Sequence, residues 1–122
     1  MRLLLTLIIS MTFAFAIGQK RPLVEDYSRV VEMARHDIEN SMKGPEGELF
    51  LYVQELNLTG KYDFDITLHE KGEVATVFVK GKEGGTIKMQ NNLKDFVKAM
   101  KFSFKMPKGK DYKFNHVFNF NN

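Results

Sequence analysis

Beyond residue 18, the side chains that could do chemistry are His36, His69 and His116, the pair Asp63 and Asp65, and Ser28, Ser41 and Ser103. Nucleophilic catalysis needs a serine or cysteine held beside a base. None of the three serines sits in a sharp glycine-rich turn, and the histidines fall on different segments of the chain. A zinc site would show histidines one helical turn apart or at hairpin spacing, and neither occurs. Asp63 and Asp65 lie two residues apart, so in a strand they share one face. A calcium loop needs more oxygens at loop spacing, and the pair reads instead as a solvated surface. Gly84-Gly85 is not followed by the Gly-Lys-Ser/Thr of a phosphate loop. With no cysteine in the chain, thiol catalysis, thiolate metal sites and disulfides are all absent. The reading is a protein without catalytic, metal or cofactor chemistry.

What the sequence does display is a division of charge. Residues 20–79 carry seven Lys/Arg against twelve Asp/Glu, and residues 80–122 carry ten lysines against three acids. None of the ten cations is arginine, the residue suited to bidentate phosphate and base contacts. With no recognition motif as well, nucleic acid is not the expected partner. A solvated basic face or a docking surface for an acidic partner is.

The elements that must position these residues follow from periodicity. Leu23, Tyr27, Val30, Val31, Ala34, Ile38 and Met42 recur at three- and four-residue steps, predicting an amphipathic helix from Leu23 to Met42. Pro22 stands at its first turn, acids follow it, and Gly44-Pro45 ends it. Glu48–Leu58 is aromatic and β-branched in part and reads as a strand. Asn57-Leu58-Thr59 matches a glycosylation acceptor, a triplet common by chance. Tyr62, Phe64, Ile66 and Leu68 alternate with polar residues, a strand with one buried face. Glu70-Lys71-Gly72 reverses the chain, and Glu73–Lys80, apolar on both faces, reads as an inner strand. A polar connection then leads to a helix over Asn91–Met100, capped by Asn91 or Asn92, with Leu93, Phe96, Val97 and Met100 on one face. Beyond the turn Pro107–Gly109, Tyr112, Phe114, His116, Phe118 and Phe120 fall on alternate positions. That row reads as core, with His116 at its rim. The predicted class is α+β: a mostly antiparallel sheet of about four strands, two helices on one face, in the order α-β-β-β-α-β.

The first eighteen residues stand apart. Met1-Arg2 is a short positive region and Leu3–Phe15 an apolar one, followed by small residues at Ala14–Ala16 or Ala16–Gly18. The apolar run is shorter than the roughly 18–20 residues of a spanning helix, so it reads as a cleavable signal peptide over residues 1–18, with an uncleaved membrane anchor as the alternative. The expected location is periplasmic or secreted, with residues 19–122 as one domain.

The second half resembles the C-terminal domain of the TonB family of energy-transducing envelope proteins. The likeness runs over about residues 62–121. It is carried by the hairpin Tyr62–Val74 with its glycine turn, by Val77-Phe78-Val79, and by Asn92–Pro107, a helix that ends in alanine before an aromatic pair and a proline loop. The closing strand completes it. The family's long proline-rich spacer has no counterpart here, and what the resemblance implies is a binding mode. In that mode an exposed strand edge takes up an extended segment of an envelope partner, such as an outer-membrane transporter. Along an edge running from Lys105 to Phe120, Lys105, Lys108, Lys110 and Lys113 would draw in an acidic partner. Asn115, Val117 and Asn119 would read it. The alternative reading is a secreted carrier of a small apolar ligand or lipid, held between helices and sheet.

Overall fold

A computed structural model describes residues 21–121. The leader assignment falls outside the described residues. Among them are helix α1 (Tyr27–Ser41), helix α2 (Glu48–Leu56), strands β1 (Lys61–His69) and β2 (Glu73–Glu83), helix α3 (Ile87–Ala99) and strand β3 (Tyr112–Asn119). The strands form one antiparallel sheet in the order β2-β1-β3. The α+β class holds, with three strands in place of about four and three helices in place of two. No helix among the described residues is long and apolar enough to cross a membrane.

The alternation of β1 organises the domain. Tyr62, Phe64, Ile66 and Leu68 are fully buried, whereas Asp63, Asp65 and Thr67 lie on the opposite face. On the buried face they join Phe114 and Phe118 of β3, Val77 of β2, Val30, Ala34 and Ile38 of α1, Leu49 of α2, and Leu93 and Val97 of α3. All three helices therefore contribute to the core on one face of the sheet, and among the described residues no element covers the face of Asp63 and Asp65. The aromatic row of β3 splits as an edge strand's should, with Phe114 and Phe118 buried and Tyr112, His116 and Phe120 half-buried at the rim.

Four local expectations are corrected. Glu48–Leu56 is helical. Its first turn is satisfied by the Ser41 hydroxyl, which accepts from Leu49 N–H at 3.0 Å. It ends at Asn57 in the left-handed region, with Leu58 N–H returning to Val53 C=O. Leu, Glu and Gln are good helix formers, and packing of Leu49 overrode the aromatic content. Helix α1 starts at Tyr27, capped by the Asp26 carboxylate. Pro22–Val24 is extended instead, because Lys105 N–H donates to Pro22 C=O and Val24 N–H to Lys105 C=O. Helix α3 begins at Ile87, where the Thr86 hydroxyl accepts from Met89 N–H, and neither Asn91 nor Asn92 is its cap. Finally, β2 is an outer strand and not an inner one. Its apolar residues do point both ways, but Phe78 points at solvent and stays 65 % exposed.

Candidate edge-binding site

β3 pairs with β1 on one side only, so its other side is an edge of the sheet. Lys113 and Asn115 turn their carbonyls to that outer side. The Tyr27 hydroxyl donates to Lys113 C=O at 2.5 Å, and the Arg35 guanidinium to Asn115 C=O at 2.9 Å. Backbone groups alternate along an antiparallel strand, so Val117 and Asn119 face outward as well. Among the described residues no hydrogen bond from outside the sheet reaches the backbone of Val117. The first half of the edge is thus capped by two side chains of α1, and the second half is open.

The seven residues singled out from the sequence are not brought together as one row. Lys105 lies outside β3, and its backbone is already bonded on one side to Pro22 and Val24. Lys108 and Lys110 are exposed in the loop before β3, where Gly109 N–H donates to the Glu70 carboxylate at 2.8 Å. Lys113 is exposed on the strand itself. Asn115 turns its side chain inward across the open face, donating to the carboxylates of Asp63 at 2.5 Å and Asp65 at 3.0 Å. Its amide N–H groups are thereby engaged, which leaves the side-chain oxygen to accept from a partner. Val117, 40 % exposed, and Asn119 remain available. Val117 also borders a shallow depression of about 210 Å³ shared with Lys61, Asp63 and Gly81. No local pattern marks Tyr27 and Arg35 as edge caps. They lie more than 79 residues from the carbonyls they hold, and on the helix they read simply as one apolar and one polar position.

His116 sits beside these caps, packed edge-on to Phe118 with ring centroids 4.6 Å apart. Burial holds its pKa below the usual imidazole value, the Arg35 charge lowers it further, and Glu39 pulls the other way. A histidine with a depressed pKa binds its proton more readily when unfolded. Its contribution to stability is therefore full above about pH 6.5 and is lost as pH falls below that value. Denaturant midpoints at pH 7.5 and 5.5 should differ more for the natural chain than for His116→Gln. Equal shifts would place the acid sensitivity elsewhere.

No group of three His, Asp or Glu able to hold a metal occurs among the described residues. His69 and Asp111 form an exposed pair at 3.1 Å, with no nucleophile hydrogen-bonded to them. Over the described residues, fold and edge together define an open-faced α+β domain with one sheet face uncovered. Comparisons with protein-family models, with curated proteins and with solved structures returned no match.

Proposed function

We propose that this protein is an interaction module of the cell envelope that takes up an extended segment of a partner protein alongside β3, by strand addition. The observation that carries the reading is the state of that edge. Its outward carbonyls are met by two exposed side chains, Tyr27 and Arg35, and not by another strand. Side-chain caps can rotate away, and an incoming backbone can replace them with ladder hydrogen bonds. Lys108, Lys110 and Lys113 flank the entry to β3 and suit an acidic segment, while Val117 and Asn119 supply contact along it. The likeness of residues 62–121 to TonB C-terminal domains supports the same mode, as does the leader, which directs the chain to the periplasm or beyond. An outer-membrane transporter or another envelope membrane protein fits as the partner.

The carrier reading has no observation in its favour. Among the described residues, the apolar pocket lined by Met42, Leu49, Phe50, Val53 and Phe120 measures about 60 Å³, against roughly 300 Å³ or more for a small-ligand site. A hollow of about 620 Å³ runs along α1, but charged residues such as Arg29, Glu32 and Asp37 line it.

Val117→Pro tests the proposal. The substitution removes an outward N–H and leaves the bonds to β1 in place, a position where an edge strand tolerates proline. Circular dichroism should stay unchanged, while crosslinked capture of the partner from native envelopes falls by about tenfold or more. Arg35→Ala, which uncaps Asn115, should raise capture. Undiminished capture by folded Val117→Pro would reject strand addition at β3.

A further inference from the structure

We infer that the other edge of the sheet, the outer side of β2, is a self-association surface on which a second copy of this chain adds its own β2 antiparallel. The two three-stranded sheets would then run on as one. The alternation already established fixes which groups face that edge. Because Lys113 and Asn115 turn their backbone away from β1, Phe114 and His116 face β1, and their partners Ile66 and Phe64 face β3. Asp65 and Thr67 therefore face β2, where they meet Phe78 and Thr76. Val77 and Val79 in turn present N–H and C=O outward, and among the described residues nothing hydrogen-bonds to them there. Lys101 bridges Glu73, so the open stretch begins at Val74.

Three features suit this edge to its own copy. First, Val74 to Val79 contains neither a charge nor a proline, the devices that normally blunt an outer strand. Second, its side chains are complementary under a twofold axis. With the axis at Phe78, Val77 of each copy forms a hydrogen-bonded pair with Val79 of the other. The two Phe78 rings, each 65 % exposed in the isolated chain, then meet at a non-hydrogen-bonded position, where opposing side chains come closest. Third, the same register keeps the lysines apart: Lys80 of each copy falls opposite Thr76 of the other and Lys82 opposite Val74, and only the terminal pair Glu73–Glu83, outside the regular stretch, sets like charges together. Irregular pairing at Ala75 and Lys80 confines the regular stretch to Thr76–Val79, and of the axes it allows the one at Phe78 joins the two exposed rings. A twofold contact of this kind closes on itself and leaves β3 free on both outer flanks.

The test is the mass of the purified protein by sedimentation or light scattering, a readout independent of partner capture at β3. The natural chain should be a dimer. Phe78→Lys and Phe78→Asp should each be monomeric, because like charges would oppose across the axis, and an equal mixture of the two should recover the dimer. Circular dichroism checks that both fold; should Phe78→Lys lose its spectrum, Thr76→Lys brings a charge to the same edge. A monomeric natural chain, a dimer that survives these charges, or a mixture that stays monomeric would each overturn the inference.

Discussion

Phe64→Ala is expected to destabilise the domain by about 3–5 kcal/mol, the range for removing a large buried aromatic side chain. Phe64 is fully buried in the middle strand, with its ring 5.6 Å from Phe118 and 6.4 Å from Tyr62, centroid to centroid. Its neighbours come from both flanking elements of the core and are themselves pinned by the ladders on either side of β1, so the cavity cannot collapse. Against a total stability of about 5–15 kcal/mol for a domain of this kind, such a loss leaves little margin. Urea unfolding followed by circular dichroism measures it. A loss under about 1 kcal/mol would mean that the core is not packed around β1 as described.

Gly72→Ala is expected to cost about 2–4 kcal/mol, from two causes that act together. Gly72 has φ +69°, a conformation that costs an L-residue about 1–2 kcal/mol. A Cβ at this position would also lie 2.1 Å from the Phe104 carbonyl oxygen. Backbone is unable to yield there, because Gly72 C=O accepts from Phe102 N–H and Met106 N–H donates to Glu70 C=O, clamping the 102–106 segment against the hairpin tip. Gly109 provides the comparison. It has φ +78° but nothing within 4 Å of an added Cβ, so Gly109→Ala should show the dihedral cost alone. Equal losses at the two positions would remove the argument from close packing.

The two outer strands differ in what borders them. β3 has α1 beside it, and Tyr27 and Arg35 close part of its edge without sealing it. β2 has α3 packed on its core-facing side and no cap along Val77–Val79. A partner of different chemistry suits the first edge, where lysines gather, and an identical strand suits the second, where charge is absent from the central run.

Several elements were legible because each depends on neighbouring residues alone. The alternation of Tyr62–Leu68 and of Tyr112–Phe120 gave two strands and their buried faces, and the four-residue spacing of Val30, Ala34 and Ile38 gave α1. Gly72 announced the hairpin turn. Elements that failed were those in which local preference was outweighed. Glu48–Leu56 carries aromatics that favour a strand, yet Leu49 finds its place in the core only as part of a helix docked beside α1. The polar start of α3 hid the cap at Thr86.

The sequence by itself determined that this is an α+β chain with a basic second half, an aromatic closing strand and no cysteine chemistry, because periodicity, composition and charge are properties of the chain in order. Only the tertiary structure decided which strands are outermost, that Lys105 is bonded to Pro22 and Val24, that Asn115 is spent on Asp63 and Asp65, and that Arg35 and Tyr27 guard one edge. Those facts join residues 50 to 86 positions apart. Contacts at such separations are set by how the faces of the helices and sheet pack together, and nothing in the local pattern of either segment names its distant partner.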